Sequence, residues 1–313
     1  MQREVPGDPA GDGASFVRSV VGHPLFRSSG VAHGRGTDFR WAIVDPERYP
    51  LYVWRRSSPA GWSYRRTARA LDAAIFTNGP MMGRRLPDGA KLTRSRVPVE
   101  FALWTAAGVA AGLGLAHLPG LRHGWLLGGA AGAAAAWKRT FTGWVPCGGI
   151  RGQADGIDDR RDFDNEGAGH AWLGRFGREF ASYRIGDGDL PAGVEEGAGG
   201  LILLVHDFTV VASRAGDPGY RRDFAELAAK KGVVAWGLVP SGGTATGAGV
   251  LIVLGGRRLD AATAAAVLIS IGTRDAVATD QSGSVMMGSG RTCLLRGPSL
   301  PRQSIQLYGL CCR

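Results

Sequence analysis

The sequence lacks the signatures that would place it in several common classes. Its four cysteines, Cys147, Cys293, Cys311 and Cys312, form no C-x-x-C pair, which excludes zinc-ribbon and thioredoxin-like motifs. The vicinal Cys311-Cys312 pair does not fit a prenylation box and reads as chemically inert. No helix-turn-helix, zinc-finger or stacking-aromatic pattern accompanies the formal charge of +10, so no specific nucleic-acid partner is expected. The segment from Met1 to Gly13 is polar and rich in Gly, Pro and Asp. It has no apolar core of the signal-peptide kind, and residues 1–36 are expected to form a flexible lead-in. The acidic stretch from Asp155 to Glu166 starts like a calcium loop at Asp162, Asp164, Glu166 and Gly167. Leu173, however, stands where the bidentate Glu is required. With Arg160 and Arg161 interleaved, a solvated loop is the expected form. The sequence indicates neither a metal nor a cofactor.

What is present is ordinary globular material. Hydrophobic residues make up 44% and charged residues 20% of 313 positions, enough for one large domain or two small ones. The positive charge favours anionic partners such as phosphate esters or acidic lipid head groups. Short runs of β-formers predict strands at 39–44, 51–55, 201–205, 233–239, 249–254 and 307–310. Residues 63–71 read as helix or loop, 217–231 as a turn and then a helix, and the Ala-rich 260–271 as a helix.

Residues 97–139 interrupt this plan. The run from Phe101 to Leu118 is almost wholly apolar, Pro119-Gly120 breaks it, and Gly124 to Trp137 is a second apolar run rich in Ala and Gly. The first run approaches the roughly 20 residues that cross a bilayer; the second is shorter. Gly108, Gly112 and Gly114 permit close helix contact, and Trp104, Trp125 and Trp137 sit where interface anchors could sit. Lys91, Arg94 and Arg96 precede the pair and Lys138 and Arg139 follow it. This pattern predicts an apolar helical hairpin, either membrane-associated with the remaining chain on the cytoplasmic face or buried against the β core.

The stretch of greatest chemical interest is Thr279-Asp280-Gln281-Ser282-Gly283-Ser284. It lies between two short apolar runs, as a small polar turn between strands. Gly and Ser there let backbone N–H groups approach a ligand, and the carboxylate of Asp280 can handle a proton or bind hydroxyls. The same pattern also fits a hairpin turn without chemistry. Three other segments stand beside it: Thr77-Asn78-Gly79-Pro80, the glycine pair Gly199-Gly200 entering a strand, and Gly243-Thr244-Ala245-Thr246-Gly247.

Taken in order, these segments resemble the motifs of the phosphodiester glycosidase family. The Asp280 turn is similar to its closing L-D-G-G-G-S-S-T-M, with Gln281 and Ser282 in place of glycines. Asn78-Gly79 resembles its A-x-N-G-G-F-F, and residues 243–247 its R-T-A-x-G, with Gly243 where the family has arginine. The resemblance implies an α+β fold with a mixed, curved sheet, as one domain over 37–313 interrupted by the 97–139 hairpin. It implies cleavage of sugar-1-phosphodiester bonds, with a glycosyl phosphodiester or another anionic small molecule as ligand. Asp280 is then the expected catalytic carboxyl. Asn78, Gly79, Thr244, Ser282, Gly283, Ser284, Gly199 and Gly200 are the expected substrate-binding residues. Arg175, Arg178, Arg291 and Arg302 are the candidates to replace the missing anion clamp. The alternative implied by the same departures is an inactive member of the fold that binds or scaffolds.

Overall fold

A computed structural model describes residues 4–55, 64–80, 82–84, 96–115, 118, 123–141, 144–159, 171–177, 182–211, 230–240, 249–281, 285–296 and 308–313. Those residues form an α+β fold of seven α-helices and eighteen strands. The chain divides into two compact units, residues 1–81 with 146–313, and residues 82–145. The second unit spans the expected insertion at 97–139 and extends past it on both sides.

The first unit opens with three short helices, α1 (Pro9–Asp12), α2 (Ser15–Gly22) and α3 (Pro24–Ser29). They lead into β1 (Val31–Arg35), β2 (Arg40–Val44) and β3 (Leu51–Arg55). Helix α4 (Tyr64–Leu71) and strand β4 (Ile75–Asn78) follow. The second unit carries β5 (Met82–Arg84), α5 (Arg96–Leu115) and α6 (Gly124–Phe141), and β6 (Trp144–Pro146) pairs back to β5. The first unit then resumes with β7 (Ile150–Gly152), β8 (Ile157–Asp159), β9 (Ala171–Phe176), β10 (Ser182–Asp187), β11 (Glu196–His206) and β12 (Thr209–Val210). It closes with β13 (Val233–Val239), β14 (Val250–Gly256), α7 (Ala261–Ser270), β15 (Asp275–Gln281), β16 (Met286–Ser289), β17 (Thr292–Arg296) and β18 (Tyr308–Cys312).

Two sheets carry the first unit. The larger runs β1-β2-β14-β13-β15-β11-β7-β8, with β9, β10 and β12 attached; the smaller runs β17-β16-β4-β18-β3. A mixed sheet was expected. The pairings within both sheets are instead antiparallel.

Alternation along the strands explains the layering. In β13 and β14, Ala235, Val239, Ile252 and Leu254 join a core with Phe16, Val20 and Phe26 of the N-terminal helices and Ala264, Ala265 and Leu268 of α7. Trp236 turns to the other face and reaches the smaller sheet, where its indole N–H donates to Thr77 Oγ1 at 3.0 Å. The far face of the smaller sheet, with Trp54, Phe76 and Cys311, is covered by Ala68 and Leu71 of α4. The layers are therefore helix, large sheet, small sheet, helix. Alanines let α7 lie close to the sheet, and Asp260 caps it by accepting the Thr263 N–H at 2.8 Å. Glu196 ties the sheets together: its two carboxylate oxygens accept the N–H groups of Val53 at 2.9 Å and Ala154 at 2.8 Å.

The N-terminal segment differs from the expected flexible lead-in. Its apolar residues Val5, Phe16, Val20 and Phe26 are buried, and Phe16 meets Trp41 edge-on with ring centroids 4.9 Å apart. The scattered Phe and Val residues recur at helical spacing and bury on the large sheet, which the local Gly and Pro content hid. The 201–205 strand starts earlier, at Glu196; the glycines in its first half, weak strand formers, hid that start. Cys311 and Cys312 are fully buried in β18. Burial pushes the Cys311 thiol up to about 12 and Cys312 well above the usual thiol range, which accounts for an inert pair. The expected helix at 217–231 falls almost wholly outside the described residues.

The buried His33 of β1 makes stability pH-dependent. It is 3% exposed and neither ring nitrogen has a hydrogen-bond partner. Burial lowers its pKa below the ordinary histidine value, opposed by Glu4 and reinforced by Arg40. A depressed native pKa means that the unfolded chain takes up the proton first. The stabilisation is therefore complete above the unfolded value of about 6.5 and is lost as pH falls through the native one. His33→Leu is expected to lose less stability than wild type between about pH 7 and pH 5 in urea titrations. Equal losses in both proteins would show that His33 is not the group responsible.

In the second unit, α5 and α6 pack as an antiparallel pair. Gly108 opposes Gly128 and Gly112 opposes Gly124, each so close that a Cβ would strike the facing backbone. Small residues let the two backbones approach in this way. Outward from that seam, Leu103, Leu127 and Trp137 are exposed.

Candidate functional site

Asn78 is the last residue of β4 in the small sheet, and Asp280 is near the end of β15 in the large one. Although 202 residues apart, their side chains meet, with Asn78 Nδ2 donating to Asp280 Oδ2 at 2.5 Å. Asn78 Oδ1 accepts the Met286 backbone N–H at 2.7 Å. That second bond fixes the amide orientation, since only the NH₂ group is left to face the carboxylate. Both residues are buried, 2% and 3% exposed. A carboxylate taken out of water is costly unless hydrogen-bonded, and a short bond to an ionised acceptor is among the stronger kinds.

The neighbouring residues hold this contact in place. Thr77 accepts from Trp236 through its hydroxyl oxygen and from Trp54 Nε1 through its carbonyl at 3.1 Å. Gly79 has φ +117, and a Cβ there would lie 2.5 Å from the carbonyl oxygen of Thr279. The missing side chain is what lets the end of β4 lie beside the residue that precedes Asp280.

No protein-family model matches the chain, and no curated protein matches its sequence. Solved structures do match it. The catalytic domain of zebrafish N-acetylglucosamine-1-phosphodiester alpha-N-acetylglucosaminidase, auto-inhibited by its pro-peptide, aligns over 93% of this chain and 84% of its own, with TM-score 0.51 and 11% identity. The likeness is one of fold. A hypothetical protein from Synechocystis aligns over 88% of this chain and 59% of its own, at TM-score 0.41 and 12% identity. A putative exported protein from Burkholderia pseudomallei K96243 aligns over 88% and 73%, at 0.42 and 12%.

The other expected residues divide into three groups. Thr244, Ser282, Gly283 and Ser284 lie outside the described residues, as do Gly243, Arg178 and Arg302. Gly199 and Gly200 lie where β11 changes partners. Residues Glu196 to Ala198 pair with β7 and β9, whereas Ile202 onward pairs with β15. Gly200 has φ +68, and a Cβ on it would strike Cys147 and Gly148; Gly199 donates its N–H to Gly149 O at 2.8 Å. At this bulge, packing requires glycine at position 200.

Among the candidate arginines, Arg175 is buried. Its guanidinium donates to the carbonyls of Leu51 at 3.1 Å and Gly177 at 3.0 Å and covers the Tyr52 ring. It is therefore committed to backbone rather than turned towards Asp280. Arg291 sits in the exposed turn between β16 and β17. His206 and Asp207 cap a turn: His206 Nδ1 lies 3.0 Å from Asp275 Oδ1, which also accepts the Asp207 N–H at 3.1 Å. Sequence reasoning missed Thr77 and Trp236. Thr77 stands next to Asn78 on a β-forming run, a signal that could have included it; nothing local marks Trp236 as its partner.

Proposed function

We propose that the chain is a membrane-associated hydrolase of sugar-1-phosphodiester bonds. The observation that carries this reading is the Asn78–Asp280 hydrogen bond. It unites the two motif residues best matched to a phosphodiester glycosidase pattern, in a fold shared with such a catalytic domain. Asp280 is assigned the carboxyl that manages a proton or stabilises an oxocarbenium-like state. Asn78, locked by Met286, is the positioning residue that aims the carboxylate. Thr244, Gly283 and Ser284 are assigned the phosphate donors, a role that backbone and hydroxyl groups fill through preorganisation. The test is hydrolysis of a sugar-1-phosphate diester by wild type and by Asp280→Asn, with turnover expected only in the former.

The second reading is an inactive member of the same fold that binds at a membrane. It is favoured by the 3% exposure of Asp280 and by Gly243 standing at the arginine position of the resembled motif. Absence of turnover over a broad diester panel, in a folded wild-type protein, would select it.

The membrane part of the proposal rests on α5. Val97–Leu115 is long and apolar enough to cross a bilayer, and only 11% of its apolar window is buried. At 1.5 Å per residue, 19 residues span about 28 Å, close to the hydrocarbon thickness of about 30 Å. Basic residues at both outer ends favour a cytoplasmic position for the rest of the chain. Wild type is expected to need detergent to leave the membrane fraction, and a deletion of 97–137 to be released without it. A wild-type protein that is fully soluble in buffer would remove this part of the reading.

A further inference from the structure

A basic pocket opens in the first unit at the edge of the two sheets. Three segments enclose about 370 Å³: the Arg35–Arg40 turn between β1 and β2, the Gly255–Arg258 end of β14, and Leu294–Arg296 of β17. Five arginines, at positions 35, 40, 257, 258 and 296, line it against one acidic residue, Asp38. Arg40 pairs with Glu4 at 3.3 Å, and Arg257 Nε donates to the Arg296 carbonyl at 2.6 Å. Among the described residues, Arg35, Arg258 and Arg296 have no carboxylate partner. Gathering like charges in one concavity raises self-repulsion and focuses a positive potential there. Arg35, Arg257, Arg258 and Arg296 are exposed, so the packing of the core does not require the cluster.

The register shows where the pocket lies. Asp280 faces Val234, Val234 faces Gly255, Gly255 faces Arg40 and Arg40 faces Arg35. Residues directly opposite across antiparallel strands share a face. The row that starts at Asp280 between the sheets thus ends in two arginines where the smaller sheet stops. Three strand spacings put the Arg40 backbone roughly 14 Å from that of Asp280. On the floor, a Cβ at Gly256 would lie 2.7 Å from the Asp38 carbonyl oxygen, so glycine there keeps the two loops close and the floor bare.

We propose that this pocket binds a phosphate group bearing two negative charges, on a soluble ester or on a lipid head group. The volume suits a small ligand rather than a macromolecule, being near the lower end of the usual range for ligand pockets. Guanidinium forks match phosphate oxygens in bidentate geometry. The site stands on its own residues and does not depend on catalysis at Asp280.

The test uses the full chain in a neutral detergent and inorganic pyrophosphate as the probe, read by isothermal titration. A parallel arm uses sedimentation with phosphatidylcholine vesicles made with and without phosphatidic acid. Saturable binding is expected, at least about tenfold weaker in Arg35→Gln/Arg258→Gln and near wild type in Arg18→Gln/Arg27→Gln, which removes the same charge from exposed helix positions. Binding to pyrophosphate assigns a soluble phosphate. Binding only to the acidic vesicles, with the same ranking of variants, assigns a lipid head group. Absence of saturable binding in both arms overturns the proposal, as does an equal loss in the two double variants. Matching circular dichroism melts of the variants and wild type establish that the comparison is between folded proteins.

Discussion

Asp280→Asn is expected to lower hydrolysis of a sugar-1-phosphodiester by about a thousandfold or more while leaving the protein folded. On the role proposed for Asp280, the substitution removes the group that handles the proton. The fold survives because the substituted amide still offers an oxygen to Asn78 Nδ2, now 2.5 Å from the carboxylate. Asp280→Ala separates the two roles further. It leaves the Asn78 NH₂ group buried without its present acceptor and should cost about 1–3 kcal/mol in addition to activity. Initial rates with the diester and urea midpoints on the same preparations measure both. Turnover in Asp280→Asn within about tenfold of wild type would remove Asp280 from the chemistry, whatever the alanine variant does to stability.

The second large effect concerns Gly79. Gly79→Ala places a side chain at φ +117 and drives its Cβ to 2.5 Å from the Thr279 carbonyl oxygen. Backbone strain of about 1–3 kcal/mol adds to a clash with main chain, which cannot rotate away as a side chain can. A total loss of about 3–5 kcal/mol is expected, a large part of the 5–15 kcal/mol that holds a typical domain together. Gly156→Ala is the matched control. Its φ is +64, but nothing lies within 4 Å of the added Cβ, so only about 1 kcal/mol should be lost. Equal shifts in the denaturation midpoints of the two variants would show that close approach at Gly79 is not what glycine is there for.

Much of the frame was legible in the sequence because the strands at 40–44, 51–55, 233–239 and 250–256 are rich in β-branched and aromatic residues and lie between turn residues. The α7 helix was legible from its alanines. The Asn78–Asp280 contact was legible only as an order of motifs: neither residue carries a local sign that it meets the other. Two features were hidden for identifiable reasons. β1, Val31–Arg35, contains His33 and Gly34 and alternates poorly, yet it is a strand because β2 pairs with it. The N-terminal helices were masked by Gly and Pro, although their apolar residues were sufficient to dock on the sheet. The close approach of Gly200 to Cys147 and Gly148 was not legible, because a glycine pair looks the same whether it admits a phosphate or another stretch of backbone.

The placement of β18 bears on how the molecule assembles. It lies between β3 and β4, pairing Leu310 with Val53 on one side and Thr77 on the other. Two strands made early in synthesis therefore wait, with unpaired edges, for a segment more than two hundred residues downstream. Contacts of such long sequence separation slow folding, and open edges invite association with other chains meanwhile. The smaller sheet should be the late step in refolding, with β13 and β14, which lie far closer in sequence, pairing ahead of it.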